Sequence, residues 1–385
     1  MIPRQILPVL KRSLRDIPVL TLTGPRQSGK TTLVKTLAKG ARYVNLEFPD
    51  ERERAISDPR GFLADLGGKA IIDEVQHVPQ LISYLQGLVD ERPGNGQYVL
   101  TGSHNLHLME RVAQSLAGRT LIHELMPFSA AELARANALP SRVNDWLLKG
   151  GYPRLYDKSE NPSTWLRSYL RTYVERDMRQ IITVRDLNTF NRFLALCAGR
   201  IGQLLNYTAL ATETGVDVKT AQHWISALEA SYILFRLPPH HRNFNKRVVR
   251  TPKLYFHDTG VACALLGIRT AGTLTTHFTR GALFENMVVT EVLKDRLNRG
   301  LPPELYFWRD KTGHEVDLLI DDPEEPCVIE VKGSRTVHSS MLDGLSYHRA
   351  LNKHGARYLL LHEGSASWDR EGIEVRNWTS LFQNR

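Results

Sequence analysis

Two groups of residues in this chain have types and spacings suited to chemistry, and they lie about 290 residues apart. The first is the stretch GPRQSGKTT, in which Gly24, Gly29, Lys30 and Thr31 fit the spacing G-x-x-x-x-G-K-[ST]. Glycines let the backbone curl until its N–H groups face an anion, the lysine adds a positive charge, and the hydroxyl beside it can ligate Mg²⁺. The second is Asp317, followed by Glu330-x-Lys332. Two carboxylates and an ammonium are what metal-assisted phosphodiester cleavage requires: the acids bind metal and generate a hydroxide-like water, and the lysine positions it or steadies developing charge.

The first group needs a strand before it and a helix after it. Val19 to Thr23 is a short apolar, β-branched run, and a helix follows whose positive dipole end would point at phosphates. Gly24, Pro25, Arg26, Gln27, Ser28, Gly29, Lys30, Thr31 and Thr32 are therefore expected to cradle ATP or GTP, with Lys30 on the β and γ phosphates and Thr31 on Mg²⁺. KAIIDEVQHV supplies a second strand, Ala70 to Ile72, with Asp73 at its end to hold the magnesium hydration shell and Glu74 as base for the attacking water. A third strand in QYVLTGSHN places Thr101, Ser103 and Asn105 at its carboxyl end, where open α/β sheets bind ligands; Ser103 or Asn105 could orient water.

On GPRQSGKTT, YVNLEFPDERERAISDP, IIDEVQ, LTGSHN and SLAGR, the first third resembles the prokaryotic AAA-type P-loop ATPases of the archaeal-ATPase-like branch. The resemblance implies an oligomer in which Arg119, with Arg111 as the other candidate, reaches a neighbouring subunit's γ-phosphate. It also implies a lid beginning at KGGYPRLYD, whose Pro153 packs near the adenine.

The middle of the chain reads as helix, Gly215 turn, helix, then two strands flanking the basic loop HRNFNKRVVRTPK: a helix-turn-helix plus hairpin, or winged helix. Lys219, Thr220, Gln222 and His223 are expected to face outward, and Arg242, Lys246, Arg247 and Arg250 to contact phosphates. Residues 151–250 hold 15 Lys/Arg against 8 Asp/Glu, +7 of the chain's +9. A localised basic excess suits DNA. The alternative for such a module is a lid or a protein dock.

The second chemical group sits on a predicted amphipathic helix, GALFENMVVTEVLKDRLNR, carrying Glu285; a hairpin carrying Asp317; and a strand, CVIEVKGS. Residues two apart on a strand share a face, so Glu330 and Lys332 point together while Ile329 and Val331 turn into the core. Glu285, Asp317 and Glu330 are the expected metal ligands, and an ion pair between Glu330 and Lys332 is the structural alternative. The pattern resembles the restriction-endonuclease-like PD-(D/E)XK superfamily, although Val316 stands where many members have proline. This region also resembles the domain of unknown function commonly fused to such ATPases.

A chain of 385 residues suggests two or three domains. The expected fold is an α/β P-loop NTPase parallel sheet with helices, followed by a winged helix and a C-terminal restriction-endonuclease-like α/β domain. The expected boundaries are 1–135 for the ATPase, 136–187 for a helical lid, 188–262 for the winged helix and 263–385 for the last domain. No apolar run reaches transmembrane length, and the opening residues lack the pattern of a secretory signal. Cys197, Cys263 and Cys327 are scattered, without zinc-ligand spacing, which suits the cytoplasm. The functional expectation is an ATP-hydrolysing, Mg²⁺-dependent homo-oligomeric motor acting on DNA, possibly branched DNA. The alternative is an ATP-gated regulatory or signalling switch whose C-terminal domain binds protein and does not cleave.

Overall fold

The computed structural model describes residues 2–103, 114–158, 160–174, 186–240, 250–352 and 355–383. The N-terminal third is built on β1 (Val19–Thr23), β2 (Arg42–Asn45), β3 (Ala70–Asp73), β4 (Tyr98–Thr101) and β5 (Thr120–Glu124). They form one sheet in the order β2-β3-β4-β1-β5, every pairing parallel. All carboxyl ends therefore share one edge, and β4 separates β1 from β3 there, leaving the crevice in which such sheets bind ligands. Buried strands with alternating side chains need cover on both faces. Leu20, Leu22, Ile71 and Val99 pack with Ile6, Leu10, Leu33 and Val34 on one side, while Val19, Ile72 and Leu100 pack with Phe62, Leu81 and Leu85 on the other.

The middle region holds the helices Leu187–Ala198, Tyr207–Thr214 and Val218–Ala230. The side chains of Asn206 and Asp217 cap the second and third by accepting from Ala209 and Thr220 backbone N–H groups. Gly215, at φ 75°, turns the chain between them in the left-handed conformation that ends helices. β6 (Leu234–Leu237) and β7 (Lys253–Phe256) then pair antiparallel.

The C-terminal region runs helix Arg280–Asn298, β8 (Leu305–Arg309), β9 (Glu315–Ile320), β10 (Cys327–Lys332), helix Asp343–Leu351, β11 (Arg357–His362), β12 (Trp368–Arg370) and β13 (Ile373–Asn377). The sheet order is β12-β13-β11-β10-β9-β8; β8, β9 and β10 are antiparallel neighbours, and β11 runs parallel to β10. Ile329 and Val331 face one core and Val328 the other, as the strand period requires.

The helix Arg280–Asn298 differs from its expected amphipathic character. It is buried around its whole circumference, with Leu283, Phe284, Met287, Val288 and Val289 joined by buried Asn286, Thr290, Glu291 and Lys294. The reason is that it packs against β10 on one side and against β7 and the helix Thr259–Leu265 on another. Its polar side chains have specific partners. Asn286 accepts from Phe256 N at 2.7 Å and donates to Phe256 O at 2.8 Å, pairing with β7 as another strand would. Glu291 accepts from Ala130 N at 2.6 Å, and Lys294 donates to Phe128 O at 3.0 Å. One apolar core thus runs from Phe128 to Trp378 without a break at 187/188 or 262/263.

His257, beside this helix, is buried against Phe235, with ring centroids 4.8 Å apart. Burial and the Lys294 charge push its pKa down to about 3. A histidine held neutral in the fold takes up a proton on unfolding, so its contribution is complete above pH 6.5 and shrinks as pH falls toward 3. Between pH 7 and pH 5 wild-type stability should fall by about 2 kcal/mol more than that of His257→Gln, measured by denaturant unfolding at each pH.

Candidate active site

Helix Lys30–Leu37 starts directly on the glycine loop, and the loop takes its shape from two positive-φ glycines, Gly24 at 139° and Gly29 at 95°. A Cβ on Gly24 would collide with the Leu125 carbonyl. The Lys30 ammonium lies in the cradle, donating to the Gly24 and Pro25 carbonyls at 2.9 Å each. Thr31 donates its hydroxyl proton to Asp73 Oδ2 at 2.7 Å, across from β3. The hydroxyl-plus-carboxylate pair expected for Mg²⁺ is thereby assembled, and the donor set fits that ion.

Glu74 follows Asp73 with φ 57°, a left-handed conformation uncommon for a long side chain. Its carboxylate accepts from Gln76 Nε2 and, at 3.1 Å, from the Ser103 hydroxyl. Burial pushes the Glu74 pKa up, but Lys30, Gln76, Arg26 and Ser103 outweigh burial and hold it below the usual carboxylate value. Ser103 thus touches Glu74 directly. Arg26 is buried, 3.6 Å from Glu47; Gln27 takes φ 61°; Ser28 is buried; and Thr32 faces solvent. Pro153 covers the loop, its ring 3.8 Å from where a Gly29 Cβ would stand. A cleft of about 510 Å³ between Gln27, Arg154, Trp165 and Tyr169 opens beside it.

Sequence reasoning missed three groups that hold this site. Tyr43 on β2 donates to Asp73 Oδ2 at 2.8 Å. Arg4 donates to the carbonyls of Ser28 at 2.8 Å and Met126 at 2.6 Å, and to Glu132 at 3.0 Å. Tyr232, from the middle region and with φ 55°, meets the Thr23 hydroxyl at 2.9 Å where β1 enters the loop. None carries a motif, and their partners lie far off in sequence.

Arg119 lies at the opposite end of the sheet from the glycine loop, since its carbonyl accepts from Val19 N at the start of β1. Its guanidinium is partly exposed and paired with Asp90 at 2.5 and 2.9 Å. It cannot reach the glycine loop of its own chain. Asn105, Arg111, Arg242, Lys246 and Arg247 lie outside the described residues. On helix Val218–Ala230, Lys219, Gln222 and His223 are exposed, as is Arg250. Thr220 departs from expectation: it is half-buried and its hydroxyl donates to the capping Asp217 at 2.8 Å, so it is committed to the helix start.

The C-terminal carboxylates converge, but on a different cation from the expected metal. Lys253, on β7, places its ammonium 3.4 Å from Glu285, 3.7 Å from Asp317 and in an ion pair with Glu315. Glu330 pairs with Lys332 at 2.5 Å. Burial, then the Asp317 charge, push Glu330 up to about 8 and Glu285 up to about 7. Among the described residues no group of His, Cys, Asp or Glu is arranged to hold a metal ion. Lys253, expected in the winged helix, thus stands between two of the three expected ligands, Glu285 and Asp317, while the third, Glu330, pairs with Lys332.

Three family models match the chain in series: an AAA domain over residues 16–134, a Domain of unknown function (DUF8612) over 140–272, and a Domain of unknown function (DUF4143) over 280–381. The first, with the glycine loop and parallel sheet, makes this a P-loop ATPase of the AAA type. An uncharacterized protein of Mycobacterium tuberculosis is 33% identical over 344 residues, spanning 87% of this chain and 76% of its own length. The chain belongs to the same family as that mycobacterial protein. An uncharacterized protein of Methanocaldococcus jannaschii is 21% identical over 334 residues, 78% of this chain and 72% of its own. Among solved structures, AMPPCP-bound DnaA from Aquifex aeolicus covers 58% of this chain and 86% of its own at 12% identity and a TM-score of 0.28, a likeness too loose to argue from. Among the described residues no helix is long and apolar enough to cross a membrane.

Arg4→Ala should cost on the order of 3 kcal/mol in denaturant unfolding, because it leaves the fully buried Glu132 carboxylate without its cation.

Proposed function

We propose that this AAA-type ATPase hydrolyses ATP as a homo-oligomer and couples turnover to DNA held by its middle region. The observation that carries the reading is the contact between Tyr232 and Thr23, which joins the strand feeding the phosphate loop to the turn between helix Val218–Ala230 and β6. A shift of the loop on nucleotide binding or release has a direct path into the helix-turn-helix.

At the site, Gly24 to Thr32 bind the triphosphate and Lys30 turns from its own loop carbonyls to the β and γ phosphates. Thr31 and Asp73 would hold Mg²⁺, which neutralises charge on the phosphate oxygens. Glu74, ionised and aimed by Ser103 and Gln76, accepts the proton of the attacking water. Pro153 and the cleft at Trp165 and Tyr169 take the base. Arg119 acts on the neighbouring subunit's nucleotide.

The helix-turn-helix with its antiparallel ribbon supports a winged helix, with Lys219, Gln222, His223 and Arg250 available to DNA and Arg242, Lys246 and Arg247 adding charge to the connecting loop. The order helix, three antiparallel strands, helix, parallel strand supports a PD-(D/E)XK-like C-terminal unit. One observation favours a second reading, an ATP-gated switch with a non-cleaving C-terminal unit: the Lys253 ammonium among the acids.

Linear, forked or four-way DNA should raise ATP turnover several-fold at moderate salt. Equal turnover with and without every DNA, together with no binding by fluorescence anisotropy, would remove DNA from the proposal. Arg119→Ala should retain ATP binding and lose most turnover. Mixing it with Glu74→Gln subunits should partly restore hydrolysis, since some interfaces then hold both groups. No recovery despite demonstrated subunit exchange counts against action on the neighbour.

A further inference from the structure

The carboxylate cluster of the C-terminal sheet is built around an ammonium contributed by the middle region. Lys253 is 3% exposed, and its Nζ lies among Glu285, Glu315 and Asp317. Neighbouring groups partner several of the carboxylate oxygens as well, while Glu330 Oε2 is buried with no hydrogen-bond partner. Tyr255 donates to Glu285 Oε1 at 2.5 Å, Val331 N donates to Asp317 Oδ2 at 2.9 Å, Arg309 lies 3.2 Å from Glu315, and Lys332 neutralises Glu330.

Lys253 is also unable to leave as a movable plug. Its strand continues into Leu254, Tyr255 and Phe256, all fully buried in the shared core. Both backbone groups of Phe256 are bonded to Asn286, one residue from Glu285. Withdrawing the strand would open the core and break those bonds together. A divalent ion needs carboxylate oxygens gathered at roughly 2.0–2.6 Å around one point. That point already holds a positive charge, and a second cation a few ångströms away in a low-dielectric interior would be strongly repelled.

We propose that Lys253 is the resident cation of this cluster: it holds the position a divalent ion would take, closes the site to metal-dependent phosphodiester cleavage, and locks the middle region onto the C-terminal sheet. The carboxylates serve as a socket for the lysine. The lock is independent of the nucleotide site, so its test uses nucleotide-free protein and does not depend on whether the ATPase reading stands.

The test is a Mn²⁺ titration of the full chain, followed by electron paramagnetic resonance and by thermal melting, on the wild type, Asp317→Asn, Lys253→Gln and Lys253→Gln/Glu285→Gln. The wild type should show no Mn²⁺ site that Asp317→Asn removes, and its melting temperature should not move with Mn²⁺. Lys253→Gln should melt lower, bind Mn²⁺ at least tenfold more tightly than the wild type, and regain melting temperature with the ion. Adding Glu285→Gln should abolish that gain. A wild-type Mn²⁺ site lost in Asp317→Asn, or Mg²⁺-dependent DNA cleavage by the wild type that Asp317→Asn abolishes, overturns the proposal. So does a folded Lys253→Gln with wild-type melting and wild-type Mn²⁺ binding. If Lys253→Gln does not fold, the comparison of wild type with Asp317→Asn still decides.

Discussion

Helix Arg280–Asn298 is the element on which the arrangement of the chain depends. Its polar side chains bond outward to two separate regions: Glu291 and Lys294 to the segment after the ATPase sheet, and Asn286 and Glu285 to Phe256, Lys253 and Tyr255 of β7. A polar group buried without a partner costs free energy comparable to a lost hydrogen bond, so each of these bonds constrains both of its ends. The apolar faces of the same helix fill the gap between the middle region and the C-terminal sheet. Segments from Phe128 to Trp378 thus share one core, beside separate cores on the two faces of the ATPase sheet and on one face of the C-terminal sheet.

The ATPase site shows what a parallel sheet does for chemistry. Because β1, β3 and β4 run the same way, the residues following each arrive at one edge: Lys30 and Thr31 after β1, Asp73 and Glu74 at the end of β3, Ser103 after β4. The crevice left by the intervening β4 separates the triphosphate cradle from the acids by the width of one strand. Arg4, Tyr43 and Tyr232 then fix what the sheet leaves loose: the loop carbonyl, the acid and the strand end. Tyr232 is the one that also belongs to the middle region, so the strand end is tied to both.

In the C-terminal unit the electrostatics oppose each other. Glu285, Glu315, Asp317 and Glu330 bring acids together in a buried place, and Lys253, Lys332 and Arg309 answer them. Burial alone would lower the Lys253 pKa, yet the surrounding acids hold it above the ordinary lysine value. A strand from the middle region thus delivers a cation to three of these acids, Glu285, Glu315 and Asp317. Buried charges need partners, and a lysine in a fixed strand meets that need as well as an ion does.

The sequence alone determined the elements whose signals are local. The glycine loop, the strands at Val19, Ala70 and Tyr98, the capped helices around Gly215, and the alternation that aims Glu330 with Lys332 all follow from spacing, propensity and the two-residue strand period. That Lys30, Thr31, Asp73, Glu74 and Ser103 gather at one edge was legible because each stands within a few residues of a strand end. Only the tertiary structure decided that helix Arg280–Asn298 is buried on every side, that Thr220 serves its own helix, and that Lys253 stands among Glu285, Glu315 and Asp317. The physical reason is range. Hydrogen bonds within a turn and side-chain periodicity act over a few residues, whereas burial and the pairing of charges are set by which distant segments meet. Lys253 and Asp317 are 64 positions apart, and nothing in either neighbourhood records the other.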